Sequence, residues 1–189
     1  MRRVVVTEFV SLDGVMEDPR WTFQFDRGVD GNKFKLDEVL EHDALLLGRV
    51  TYEGFAEAWP SRTDDVGFAD KMNSMAKYVV STTLQEAEWN NSIVIRGDVA
   101  EEVSKLKQQP GQDILVAGSR TLVQTLMQHD LVDEYRLMVF PVVLGSGMRL
   151  FTDESEKTAL RLADAKTVGE GVLILTYEPA NEGSRRTAS

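Results

Sequence analysis

The chain has 189 residues, 42% hydrophobic and 28% charged, which suits one folded domain able to bury roughly 70% of its unfolded surface. Thirty-one acidic residues against 21 basic ones leave a formal charge of −10, so a nucleic-acid backbone or an anionic membrane is a poor first partner. The absence of cysteine removes disulfides and thiolate chemistry, and with only His42 and His129 as nitrogen donors no metal site is expected.

No apolar run nears the ~20 residues a membrane span needs. The opening Met1-Arg2-Arg3-Val4-Val5-Val6 is too short to be the apolar core of a signal peptide, so a cytoplasmic protein is expected.

Residues 3–10 are rich in β-branched side chains and predict a strand, which leaves through the turn-rich Ser11-Leu12-Asp13-Gly14 segment. Trp21, Phe23 and Phe25 alternate in the following loop, either as a lid that stacks on a flat heterocycle or as a strand-like plug, with packing the favoured reading. Leu36, Val39 and Leu40 have helical spacing, with Asp30 or Asn32 as cap and an end near Glu41. Ala44-Leu45-Leu46-Leu47 is a continuous apolar run of the kind covered on both faces in a parallel sheet.

A helix is predicted over 50–59, starting at Arg49 or Thr51, stopped by Pro60 and carrying a structural Trp59; Phe68, Met72 and Met75 mark another. Strands follow at 78–81 and 92–95, then a helix over 99–108 capped by Asp98, then a strand over 113–117. Gly118-Ser119 opens a helix carrying Leu122, Val123, Leu126 and Met127. His42 and His129 fall at helix ends, where they cap the last carbonyls or stand in solvent.

Repetition of strand, loop and helix predicts an α/β fold with a mostly parallel central sheet and helices on both faces. Strands at 134–143 and 171–178, with no strong helix between them, are read as antiparallel strands at one edge. One domain over 1–180 and a flexible tail over 181–189 complete the organisation.

In such sheets ligands bind outside the carboxyl ends of the parallel strands. Three junctions there are polar or glycine-bearing: Gly48-Arg49-Val50-Thr51, Ser81-Thr82-Thr83 and Gly118-Ser119-Arg120-Thr121. Their N–H groups, hydroxyls and arginines suit a diphosphate or a 2′-phosphate; the alternative is that they are tight turns and helix caps. Neither a G-x-G-x-x-G pattern nor a Walker A pattern is present.

Leu47-Gly48-Arg49-Val50-Thr51-Tyr52-Glu53, Lys77-Tyr78-Val79-Val80-Ser81 and Ile114-Leu115-Val116-Ala117-Gly118-Ser119-Arg120-Thr121-Leu122 resemble segments of dihydrofolate reductases. Ser11-Leu12-Asp13-Gly14, Leu131-Val132-Asp133-Glu134 and the stretch from Pro141 through Gly145-Ser146-Gly147 to Phe151 are closer to the reductase domain of bacterial riboflavin biosynthesis. In combination they resemble stand-alone members of the RibD C-terminal domain family, over roughly residues 3–178.

The resemblance implies a dihydrofolate-reductase-like fold and an NADPH-dependent reductase of a small heterocyclic substrate, similar to 5-amino-6-(5-phosphoribosylamino)uracil reductase. It places Gly48, Arg49 and Thr51 at the cofactor phosphates, Ser81 and Thr82 at the adenosine end, and Gly118, Ser119, Arg120, Thr121 and Leu122 at the diphosphate. Ala117-Gly118 departs from the two consecutive glycines of dihydrofolate reductases, and the alanine methyl would crowd the cofactor. Substrate would meet Asp13, Trp21, Pro141 and Gly145, with Arg149 on a substrate phosphate or a surface carboxylate.

The catalytic residue is left open, with Asp13 and Asp26 as candidates; Asp26 follows Trp21 at the five-residue spacing of the dihydrofolate reductase acid. No deaminase half is expected, because its zinc ligands are missing. The resemblance also implies a homodimer, for which Met138, Phe140, Val142 and Leu144 offer an apolar surface. The alternatives are a pterin- or dihydrofolate-type reductase and a non-catalytic nucleotide-binding protein of the same fold.

Overall fold

A computed structural model describes residues 1–152 and 157–180; the tail expected over 181–189 lies outside them. In chain order the elements are β1 (Val4–Ser11), a 3-10 helix (Pro19–Gln24), α1 (Gly28–Leu40), β2 (His42–Gly48), α2 (Arg49–Ala58), α3 (Phe68–Ser74), β3 (Ala76–Val80), β4 (Ser92–Ile95), α4 (Val99–Gln108), β5 (Asp113–Val116), α5 (Arg120–Gln128), β6 (Glu134–Phe140), β7 (Leu160–Val168) and β8 (Val172–Pro179). They build one eight-stranded sheet in the order β4-β3-β2-β5-β1-β6-β8-β7. The strands from β4 to β6 in that order are parallel, and β8 and β7 add antiparallel at the edge.

Alternation along the central strands divides the core in two. Val4, Val6, Leu46, Ile114 and Val116 meet Val103 and Leu106 of α4 and Leu122, Val123 and Leu126 of α5 on one face. On the other, Val5, Leu45, Leu47 and Leu115 meet Val39 of α1, Tyr52 of α2 and Met72 of α3. Both faces are covered, which is why these strands are unbroken apolar runs. Ala117 packs with the second cluster.

Several local expectations are corrected. β7, an exposed edge strand of mixed polarity, carries no continuous apolar run and was not expected; it closes on β8 through Gly169 and Gly171, both at positive φ. β6, expected as an antiparallel edge strand over 134–143, pairs parallel with β1 inside the sheet and stops at Phe140, because Pro141 has no N–H to donate to a ladder. α1 starts at Gly28, and neither Asp30 nor Asn32 caps it; the Asp26 carboxylate accepts from Gly28 N at 2.7 Å.

The aromatic run is not strand-like, since the 3-10 helix breaks its alternation: Trp21 and Phe25 pack against Phe140, whereas Phe23 is 84% exposed. His42 does cap the Glu38 carbonyl, but from inside the core, where burial lowers its pKa; His129 ends α5 in solvent. Met138 and Phe140 are buried in this chain's own core, so they form no apolar docking stripe.

Candidate cofactor and substrate site

Strands β1 and β5 pair only from Val4 to Val6, opposite Ile114 to Val116, while β1 stays paired with β6 as far as Ser11. Past Val6 the two strands part, and the chain turns through Gly118 into α5. This is a break in strand order at the carboxyl ends, the place where open α/β sheets bind ligands.

Adjacent to it, β2 ends at Gly48 and passes straight into α2. Gly48 N donates to Gly118 O at 3.1 Å, joining the two turns. A Cβ on Gly48 would overlap Ser119 Oγ, and a Cβ on Gly118 would lie 2.9 Å from Thr51 Oγ1. Gly118 also has φ +94°, a conformation that favours glycine, and its peptide to Ser119 is cis. Gly48, Thr51, Gly118 and Ser119 thus form one close-packed cradle.

No side chain caps either helix at this cradle. Gly48 has none to offer, and Ser119 makes no cap hydrogen bond. Neither N-cap residue therefore supplies a side-chain acceptor to the first-turn N–H groups of α2 and α5, and the positive ends of both helix dipoles lie at the cradle. Arg120 Nε is buried and unpartnered, whereas Arg49 reaches both carboxylate oxygens of Glu53 at 3.0 Å. Such a donor set fits a diphosphate.

The other proposed cofactor residues are placed differently. Ser81 is buried, and its Oγ accepts from Leu84 N at 2.9 Å and Thr83 N at 3.2 Å, which makes it the former of its own turn. Thr82 is exposed beside it, and Thr121 is exposed on α5. Leu122 is a core residue under α5, available to a ligand only through its backbone.

The substrate candidates gather in two loops that zip together. Asp13 accepts from Leu144 N at 3.1 Å, Gly145 N at 2.9 Å and Ser11 Oγ at 2.6 Å. These hydrogen bonds, with that of Ser11 foremost, hold its pKa down to about 2, so Asp13 stays ionised and anchors the loop. Arg149 Nε donates to Asp13 O at 2.9 Å, and Met148 N donates to Glu17 Oε2 at 2.9 Å.

Between the loops lies a cleft of about 760 Å³ lined by Val15, Glu17, Arg20, Trp21, Leu144 and Ser146. Trp21 is held there by its Nε1 hydrogen bond to Glu17 O at 3.1 Å and by edge contact with Phe140. Gly145 is exposed between the lining residues Leu144 and Ser146, while Pro141, exposed, and Asp26, engaged with Gly28 N, are not among the lining residues.

Glu8 is the residue the sequence reading passed over. It lies in the middle of β1, 9% exposed, with Oε1 unpartnered, 3.5 Å from the position a Cβ on Gly118 would take. Burial raises its pKa to about 8, Lys35 lowering it and Glu38 adding to the rise. The signal was available: a lone carboxylate inside the run Val4-Val5-Val6-Thr7-Glu8-Phe9-Val10.

Comparison with known proteins agrees with this architecture. The RibD C-terminal domain model matches residues 2–174. Two Bacillus subtilis (strain 168) proteins, the uncharacterized YyaP and YwjB, are each 32% identical to the chain, over 183 residues (93% of this chain, 94% of YyaP) and 177 residues (92% and 96%). A Shewanella sp. PV-4 protein assigned to riboflavin biosynthesis superposes with TM-score 0.75 at 22% identity, covering 94% of this chain and 99% of its own.

The Thermotoga maritima diaminohydroxyphosphoribosylaminopyrimidine deaminase/5-amino-6-(5-phosphoribosylamino)uracil reductase matches at TM-score 0.67 and 14% identity, over 95% of this chain and 57% of its own. The fold is that of the dihydrofolate-reductase-like reductases, and the chain belongs to the RibD C-terminal domain family.

Proposed function

We propose that the protein is an NADPH-dependent oxidoreductase that reduces a small heterocyclic substrate, similar to 5-amino-6-(5-phosphoribosylamino)uracil reductase. One observation carries this reading: two uncapped helix N-termini converge on the Gly48–Gly118 cradle beside the buried, unpartnered Arg120 Nε. The bound cofactor would supply the hydride, and the protein would hold and orient it.

In this reading Gly48, Arg49, Thr51, Gly118, Ser119, Arg120 and Thr121 meet the phosphates, the last four at the N-terminus of α5. Ser81 and Thr82 border the adenosine end. Substrate enters the cleft beside Trp21 and Gly145, on a loop that ionised Asp13 keeps in place. A pterin- or dihydrofolate-type acid at Asp26 is disfavoured, because that exposed carboxylate is engaged at the start of α1.

The test is a titration with NADPH and NADH, followed by tryptophan quenching and energy transfer to the reduced nicotinamide. Micromolar NADPH affinity with much weaker NADH binding is expected. Consumption of NADPH with 5-amino-6-(5-phosphoribosylamino)uracil, and none with dihydrofolate, would then assign the substrate class.

A further inference from the structure

The cleft between the two zipped loops carries more acid than base. Its charged lining residues are Glu17, Asp18 and Arg20, and Asp13 and Arg149 tie the loops together beside it. Each guanidinium already faces a carboxylate of its own chain. Arg20 meets Asp18 with both arms of its fork, Nε donating to Oδ1 at 2.6 Å and Nη2 to Oδ2. Arg149 donates from Nε to Asp13 O at 2.9 Å, and its Nη2 lies 3.7 Å from Asp13 Oδ2. Among these residues Glu17 is the acid left over. The other walls are apolar or neutral, with Trp21 and Leu144 beside Gln24 and Ser146.

The backbone of the same loop is engaged as well. A glycine-rich turn binds phosphate through amide N–H groups that point into it. Here Leu144 N and Gly145 N donate to Asp13, and Met148 N donates to Glu17 Oε2 at 2.9 Å. A Cβ on Gly147 would stand 3.3 Å from that Glu17 oxygen, so the carboxylate lies directly on the glycine turn. A phosphate monoester, with a charge of about −1.5 to −2, would have to displace one of these carboxylates and then lie against it. Cleft and cradle share a wall: Met16, between the lining residues Val15 and Glu17, has its Cε 3.9 Å from the position a Cβ on Gly118 would take. Two helix N-termini serve phosphates on the cradle side of that wall, and carboxylates stand on the other. We infer that the substrate is an unphosphorylated heterocycle, uncharged or cationic. This rests on the reductase reading above and narrows it, from the phosphoribosylaminouracil to a relative without the phosphate.

The experiment compares 5-amino-6-(5-phosphoribosylamino)uracil with its dephosphorylated form, 5-amino-6-(ribosylamino)uracil. Isothermal titration of the NADP⁺-bound protein gives Kd for each, and NADPH oxidation gives kcat/KM, with wild type, Glu17→Gln and Asp18→Asn. Both replacements remove a charge and keep an acceptor oxygen, and asparagine tolerates the positive φ of 42° at residue 18. Circular dichroism checks that each variant is folded. Wild type should prefer the unphosphorylated compound by about tenfold or more at low ionic strength. The preference should shrink in ~0.5 M salt, which screens charge repulsion. Each variant should narrow it by about threefold, through tighter binding of the phosphorylated compound.

Equal or tighter binding of the phosphorylated compound by wild type would overturn the inference. So would a preference that neither salt nor the two variants change, because it would report size rather than charge. Binding of neither compound by protein that does bind NADP⁺ would overturn it as well, while leaving the cofactor site standing. Failure of wild type to bind NADPH or NADP⁺ would overturn the reductase reading itself, and the substrate inference with it.

Discussion

Two of the buried ionisable groups, Lys77 and Glu8, are treated in opposite ways. On the β3 side, fully buried Lys77 donates to Asn73 O at 2.6 Å and Asn90 O at 3.0 Å, with its ammonium 4.1 Å from the centre of the Trp89 ring. Trp89 is pinned in turn by Nε1 to Asn73 Oδ1 at 2.8 Å and by its N–H to Tyr52 Oη at 2.9 Å. In the middle of β1, buried Glu8 has an oxygen without a hydrogen-bond partner among the described residues.

Burial perturbs both groups, lowering Lys77 and raising Glu8 to about 8. A perturbed pKa therefore does not separate structure from function here; the presence or absence of partners does. The Lys77 knot is complete within the chain, whereas Glu8 Oε1 has no hydrogen-bond partner among the described residues.

Breaking the complete knot should cost the most. Trp89→Ala removes a buried indole and is expected to destabilise the protein by about 3–5 kcal/mol in urea denaturation, with NADPH affinity unchanged below its transition. Glu8→Gln should act the other way. The folded pKa of Glu8 lies above its unfolded value of 4.5, so the native state keeps a proton that the unfolded chain has released. Wild-type stability then falls as pH rises from 4.5 to about 8 and levels off above it. Glu8→Gln lacks this decline, so its advantage should grow across that window to about 2–4 kcal/mol, read from denaturation curves at successive pH values.

Gly118→Ala should cost about 1–2 kcal/mol of stability through its positive φ, while isothermal titration shows NADPH affinity falling more than tenfold as the cradle fills. Arg49→Ala removes only an exposed ion pair with Glu53, so its stability should hardly change and its NADPH affinity should drop about tenfold. Asp13→Ala is the mildest globally. Amide exchange at Leu144 and Gly145 should accelerate, because those two N–H groups lose their acceptor, with little change in the overall unfolding transition.

Much of the fold was legible because its centre obeys one simple rule. β2 and β5 hold continuous apolar runs and read as buried strands, and β1 reads as a strand from its β-branched residues. β7 escaped because it is covered on neither side along most of its length, so burial left no pattern in its sequence. The glycine-bearing turns at Gly48 and Gly118 were visible as turns, but that they touch each other was not, since their contact depends on β2 and β5 being neighbours. Asp13 could not be paired with residues 144 and 145 across so long a separation. Ser81 shows the opposite failure: a hydroxyl that looks available in the sequence is used by its own loop.

The most direct test of the comparison is to titrate wild-type protein and Gly118→Ala with NADPH and NADH, monitoring energy transfer from tryptophan to the reduced nicotinamide. Micromolar NADPH binding by wild type, much weaker NADH binding, and loss of both in a folded Gly118→Ala would place the dinucleotide at the cradle. Equal binding by wild type and variant, or no transfer with either cofactor, would contradict that account and leave the uncapped ends of α2 and α5 as ordinary turns.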